Sequence, residues 1–235
     1  MKRLIYLLSA MIIMLAACGP NVKELLENAN TKFESKDWNG AIIAFQEVVK
    51  HDAKNVEAFY KMGLSHKSLN NEEDALTNFS AAIELEPLHK DALYERAIIR
   101  SNIRDIQGSI DDLTAAIKVN SSFNQLYHKR AIERRRLGDF EGSIEDFSKA
   151  IELKADYPNS YLGRAISKKA SGDNVGAMVD FATAIGLNPG YAEAYFQRGL
   201  LNIETGMKSM GCDDIKKAIE LGHQKAGAVF TEHCQ

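Results

Sequence analysis

The chain repeats itself every 34 residues, and nothing else in it limits the fold as tightly. Val56 to His89 is the clearest copy, and moving that window by 34 residues in either direction finds the pattern again, from Val22 onward. The eighth place of the unit is always small: Ala29, Gly63, Ala97, Ala131, Ala165, Gly199. So is the twentieth, which reads Ala41, Ala75, Ser109, Ser143, Ala177, Gly211. The twenty-fourth is large (Phe45, Phe79, Leu113, Phe147, Phe181, Ile215), and the twenty-seventh is small again (Val48, Ala82, Ala116, Ala150, Ala184, Ala218). Two helices approach closely only where side chains are small, and large apolar residues then fill the gaps beside the crossing. The spacing therefore predicts an all-α chain of six antiparallel helix pairs, starting at residues 22, 56, 90, 124, 158 and 192. Each pair can bury its apolar face only against its neighbours.

Aromatic residues at Tyr127, Tyr161 and Tyr195, and prolines at Pro87 and Pro189, complete the pattern. With them it resembles the tetratricopeptide repeat family. The resemblance covers residues 22 to 225 and implies a right-handed superhelical solenoid of about six helix pairs over residues 22–222. Repeat one, Val22 to Asn55, is the most degenerate, with Leu25 at the aromatic place and Ala53 where the family has proline. Gly222 suits a helix end. Beyond it, residues 223–235 carry Ala226, Val229 and Phe230 at helical spacing, as a capping helix over repeat six would.

The chain begins with Lys2 and Arg3, followed by an apolar run of 14 residues from Leu4 to Ala17. A bilayer span needs ~20 residues, so residues 1–17 read as a signal peptide. The run closes on Leu15-Ala16-Ala17-Cys18, which resembles the lipobox of bacterial lipoproteins. That resemblance implies a lipidated Cys18 (palmitate among its acyl chains) as the first mature residue, and several chains anchor stably where one does not. Gly19, in place of an aspartate, implies the outer membrane, facing the periplasm. Residues 18–21 leave a tether of roughly 10 Å between lipid and first helix.

Without Lys2 and Arg3 the chain has 27 basic and 32 acidic residues, a net charge of −5. General nucleic-acid binding needs a basic face, so no nucleic-acid partner is expected. No metalloprotease, nucleophile or phosphate-loop motif occurs, so no catalytic residue, cofactor or small-molecule substrate is expected and the chain reads as a non-enzyme. Cys212 and Cys234 lie before and after Gly222 at distances that two antiparallel helices would bring side by side. In an oxidising compartment that reads as a disulfide. The rival reading, a metal site from Cys212, His223, His233 and Cys234, lacks zinc-like spacing. The wording around Gly211 and Cys212 also resembles a recurrent ending of small tetratricopeptide lipoproteins, which implies the same cysteine closure.

Arginine fills the seventh place at Arg96, Arg130, Arg164 and Arg198, while aspartate fills the twenty-third at Asp112, Asp146, Asp180 and Asp214. Both are missing from repeats one and two, which have Asn28 and Met62, then Ala44 and Asn78. The joint occurrence predicts structural ion pairs between helices. Function is then expected from a surface. The family resemblance implies a concave groove along the first helices, with Tyr60, Lys67, Tyr94, Asn102, His128, Arg135, Arg136, Lys169 and Phe196 as its candidate partner-binding residues. An apolar floor with an off-centre basic cluster suits a peptide or helix with apolar anchors and acidic residues. The ninth-place aliphatics, from Leu64 and Ile98 to Leu200, serve either as that floor or as core between repeats. Family members that clamp a chaperone's C-terminal carboxylate use lysine at the fifth place and asparagine at the ninth; only Asn30 matches, so that mode is not expected. The expectation is a lipid-anchored adaptor binding a protein partner in the cell envelope. The alternative is a structural subunit of an envelope assembly, contacting partners through its convex face and ends.

Overall fold

The computed structural model describes residues 21–235, so the signal peptide and the lipidation site at Cys18 lie outside the described residues. Among the described residues the chain is an all-α helical repeat of thirteen helices with no strand. They are α1 (Val22–Glu34), α2 (Trp38–His51), α3 (Val56–Ser68), α4 (Glu72–Leu85), α5 (Lys90–Asn102), α6 (Ile106–Val119) and α7 (Asn124–Arg136). They continue with α8 (Phe140–Leu153), α9 (Pro158–Ala170), α10 (Asn174–Leu187), α11 (Ala192–Glu204), α12 (Lys208–Glu220) and α13 (Ala226–Cys234). The chain divides into two compact units, one up to Ile99 and one from Arg100, with the boundary inside α5.

Two local devices turn the pairs, one present in all six and the other in four. The fifteenth place lies in the left-handed region in all six repeats, at Lys36, Asn70, Arg104, Gly138, Gly172 and Gly206. Glycine costs least there, and repeats four to six use it. The next residue starts the second helix. Asp37, Asp105, Asp139 and Asp173 each accept a hydrogen bond from the backbone N–H of the glycine three residues on, at 2.8–3.0 Å. Such caps contribute about 1 kcal/mol apiece. The glycine makes room for the capping carboxylate, since a Cβ at Gly176 would sit 2.1 Å from Oδ2 of Asp173.

The places that are small in sequence are where the helices meet. Ala29, Ala41, Ala75, Ala97, Ala131, Ala165 and Ala177 are fully buried, as are Phe45, Phe79, Phe147, Phe181 and Ile215 between them. Burying each large side chain contributes roughly 1.5–3 kcal/mol. In the last pair Gly199 and Gly211 face one another, and a Cβ on Gly211 would meet the Gly199 carbonyl oxygen at 2.7 Å. Ninth-place residues are only partly buried: Leu64, Ile166 and Leu200 pack against neighbouring cores. In this structure they act as core, not as open floor.

The second unit is closed by α13. Gly222 turns the chain with a φ of 82°, and the His223 N–H reaches back to the Ala218 carbonyl at 2.9 Å. The capping helix therefore starts at Ala226 rather than His223, because residues 223–225 are spent on this turn. Ala226, Val229 and Phe230 pack on Phe196, Ile215 and Ala218. A disulfide joins Cys212 to Cys234 with Cα atoms 5.6 Å apart, closing a loop with a sequence separation of 22. Loss of a loop constraint of this size costs about 3 kcal/mol in the chain-entropy account. Paired Cys212→Ser and Cys234→Ser substitutions should therefore release α13 first. Hydrogen exchange should show faster exchange at Val229 and Phe230 while α7 and α8 stay protected. Uniform protection across the unit would contradict this.

Candidate functional site

The Arg–Asp pairs form the polar interior of the second unit. Arg130 grips Asp146 at two points, Nε to Oδ2 at 2.8 Å and Nη2 to Oδ1 at 2.7 Å. Arg164 with Asp180 and Arg198 with Asp214 repeat the same geometry at the same distances. Charge-assisted forks of this kind are among the stronger hydrogen bonds in proteins. The hydrogen bond to Asp180 is the main reason the Arg164 guanidinium is held above its usual pKa, and Asp214 does the same for Arg198. The aromatic three residues earlier lies beside each arginine, with Tyr127, Tyr161 and Tyr195 rings 5.6–5.8 Å from the guanidinium carbon. In the first unit Arg96 donates to Ser80 at 3.1 Å. Asp112, in the second unit, accepts from Arg100 at 3.0 Å.

Two further members of this ladder were missed from sequence. The eleventh place supplies a second cation to each aspartate: Arg100 to Asp112 at 3.0 Å, Arg134 to Asp146 at 3.2 Å and Lys168 to Asp180 at 2.9 Å. The twenty-fifth place of the preceding repeat supplies a hydroxyl, Thr114 to Arg130 at 3.1 Å and Ser148 to Arg164 at 3.0 Å. Both could have been read off the 34-residue register, since the cations at the eleventh place recur in phase with the aspartates. Repeat six departs at both positions, with Asn202 and Ala182.

The candidate surface residues fall on first helices in both units. In the first unit Tyr60 packs beside Phe79 and His89, with ring centroids 6.0 and 4.8 Å away. Burial, assisted by the Asp91 and Glu95 carboxylates, pushes its hydroxyl up to about 12. Lys67 is ion-paired with Glu95, and Tyr94 is half-buried. Asn30 is drawn into a network with Lys61 and Glu57, at 2.7 and 3.2 Å.

In the second unit the consecutive arginines Arg134, Arg135 and Arg136 take three different roles. Arg134 belongs to the ladder. Arg136 donates to Ser101 at 2.9 Å and pairs with the buried Glu133 at 3.1 Å. Arg135 is the exception: its Nε is buried with no hydrogen-bond partner among the described residues. Burial, then the charge of Arg136, lowers its pKa. Such a cation is stabilised by any carboxylate that reaches it. Lys169 is tied to Glu204 at 2.8 Å, and Asn102 is exposed. His128 bonds Ser160 at 3.0 Å between the rings of Phe147 and Tyr157. Burial lowers its pKa to about 4, with Lys129 adding to the effect.

Phe196 corrects the expected groove. It is 7% exposed and stacks on His223 at 4.0 Å, so it belongs to the C-terminal closure and not to an open face. His223 in turn bonds Glu193 at 2.9 Å. An open pocket of about 510 Å³ lies beside this pair, between the start of α11 and the turn at Gly222. With Cys212 and Cys234 sharing a disulfide, neither sulfur is available as a thiolate ligand.

Family models described as tetratricopeptide repeat match residues 60–124 and 125–157. Protein STIP1 homolog from Dictyostelium discoideum is 36% identical over 64 residues, which is 27% of this chain and 11% of that protein. The chain thus aligns with only about a tenth of that relative's length. The MamA crystal structure superposes with a TM-score of 0.67 at 24% identity, over 73% of this chain and 94% of that one. YrrB, described as a tetratricopeptide repeat protein with an unusual peptide-binding site, gives a TM-score of 0.70 at 17% identity, over 80% and 97%.

Two outcomes follow from the geometry. Arg130→Ala removes a buried fork, and stranding a buried charge costs ~3–5 kcal/mol. Since Arg134 still reaches Asp146, the loss should fall at or below the lower end of that range, read as a reduced melting temperature with partner binding retained. An unchanged melting temperature would contradict the ladder. His128 is neutral when folded at pH values where the unfolded chain already protonates its histidines. Its favourable contribution is therefore complete above about pH 6.5 and lost as pH falls toward 4. His128→Phe should flatten the stability profile across that window in urea titrations, whereas an unaltered profile would exclude His128 as its source.

Proposed function

The chain is a tetratricopeptide-repeat protein, and we propose that it is a lipid-anchored adaptor of the bacterial cell envelope, holding a protein partner on the first helices of its second unit. Tetratricopeptide-repeat proteins bind protein partners, and this one acts by binding, without catalysis or cofactor. The observation that carries the reading is Arg135. A partly buried guanidinium beside a second arginine, with no counter-ion among the described residues, is electrostatically incomplete, and an acidic residue of a peptide or helix completes it. The half-buried Tyr161, on the first helix of the next repeat, gives apolar surface for the rest of such a segment.

Anchoring rests on the apolar run and Cys18. It places the adaptor on the outer membrane, facing the periplasm, with the first helix a few residues from the lipid. The oxidising compartment this implies agrees in chemistry with a disulfide between Cys212 and Cys234.

Crosslinking in intact cells tests both parts. Photo-crosslinker at Lys169 should trap a partner that Arg135→Glu no longer captures, while the Arg135→Glu protein melts within a few degrees of the wild type. Labelled palmitate should enter the wild type and not Cys18→Ala. Equal capture by Arg135→Glu would remove the first-helix face from the proposal, and absence of label would remove the lipid.

A further inference from the structure

Repeat six lacks one positive charge that the preceding repeats supply from within the chain. Asp112 has Arg100 beside it, Asp146 has Arg130 and Arg134, and Asp180 has Arg164 and Lys168. Asp214 has Arg198, but its eleventh-place neighbour is Asn202, whose Nδ2 reaches it at only 3.3 Å. The aspartate is correspondingly less covered, 7% exposed against 2–3% for Asp112, Asp146 and Asp180.

Where the missing side chain would lie there is a pocket of about 310 Å³, open to the surface formed by α10 and α12. Its inner end carries Asp214 and Asn202, with Asp213 at the rim; its walls include Met178, Ala182 and Met210. Asn202 is 1% exposed, and its Oδ1, an acceptor, is buried without a hydrogen-bond partner. Two carboxylates against the single guanidinium of Arg198 leave the pocket one negative charge in excess. Both the charge and the unmet acceptor call for the same thing, a cationic donor. The walls suit an aliphatic stem behind it.

The surface leading to this pocket is also unlike its counterparts. The outward face of α10 reads Val175, Val179, Ala182 and Gly186, with Val175 80% and Val179 61% exposed. The same places in α8 are Glu141, Glu145, Ser148 and Glu152, and in α12 they are Ser209, Asp213, Lys216 and Glu220. The apolar stripe runs onto the pocket through Ala182, and Met210, 59% exposed, borders it. A small free amine would fill the pocket and leave the stripe in water. A helix of a partner protein would cover both.

We infer that this face is a docking site for a partner helix with an apolar side, which inserts one lysine or arginine side chain into the pocket to pair with Asp214 and Asn202 Oδ1. The inserted cation takes the position that Lys168 occupies beside Asp180 in the repeat before. The site is separate from the first-helix face around Arg135 and does not depend on it.

The test uses the full-length protein and two synthetic helical peptides with one Leu/Ala face, identical except for a central lysine or norleucine. The wild type should bind the lysine peptide at least tenfold more tightly. Asn202→Lys supplies the chain's own cation, as in repeat five; it should keep the wild-type melting temperature and lose the discrimination. Val179→Glu, on an exposed position, should weaken both peptides, while Arg135→Glu should change neither. Equal affinity for the two peptides, discrimination that survives Asn202→Lys, or no binding of either would overturn the inference. n-Pentylammonium, followed through the Met178 and Met210 methyl resonances, should bind far more weakly than the lysine peptide. Equal affinity would make the occupant a free amine and remove the docking surface.

Discussion

The fold depends on backbones coming close enough to touch. At Gly199 and Gly211 there is no room for a Cβ, and elsewhere the crossing is filled by small buried residues, alanine in most repeats and serine at Ser109 and Ser143. Close approach leaves a gap beside the crossing that one large side chain fills, Phe147 or Phe181 in the second unit. Because packing density is nearly fixed in interiors, the small and large places are not independent choices. That coupling is why the pattern recurs so strictly in a chain whose outward residues drift freely.

Burying arginine and aspartate in such an interior is costly unless each charge is satisfied. The structure meets this by giving Asp146 and Asp180 two cations each, and by giving Arg130 and Arg164 a hydroxyl from the preceding repeat as well as a tyrosine ring. Each arginine's set links three helices, α6 to α8 for Arg130 and α8 to α10 for Arg164. Successive repeats are thereby tied by directional bonds as well as by apolar contact, which fixes the angle at which one pair follows the next more narrowly than packing alone would.

Most of the helical architecture was legible because it follows from a 34-residue period, which survives any single substitution. The Arg–Asp fork was legible for the same reason, since Arg130 and Asp146 recur together. What sequence did not reveal depended on which side chains share a space across helices. Phe196 reads as groove surface from its place in the register, yet His223 from the C-terminal turn stacks on it. Arg134, Arg135 and Arg136 look alike as a run of charge. One helical turn gives them three environments: ladder, partly buried face and surface pair with Glu133. The second cation at the eleventh place was in register all along, but its meaning required seeing that it reaches the same aspartate.

Differences between copies are most informative at positions whose role is known from the other copies. A serine or lysine on an outward face says little, since that face is solvated in any repeat. Asn202 is different. Its counterparts Arg134 and Lys168 each neutralise a buried carboxylate, so the change alters an electrostatic arrangement whose normal form is visible twice in the same molecule. Ala182 alters the hydroxyl half of the same arrangement, and the two substitutions border one pocket. Random drift at a buried carboxylate would be opposed by the cost of under-compensated charge. A repeat that keeps Asp214 and its fork to Arg198, yet forgoes the second cation, retains a cavity of the size and sign that its neighbours fill for themselves.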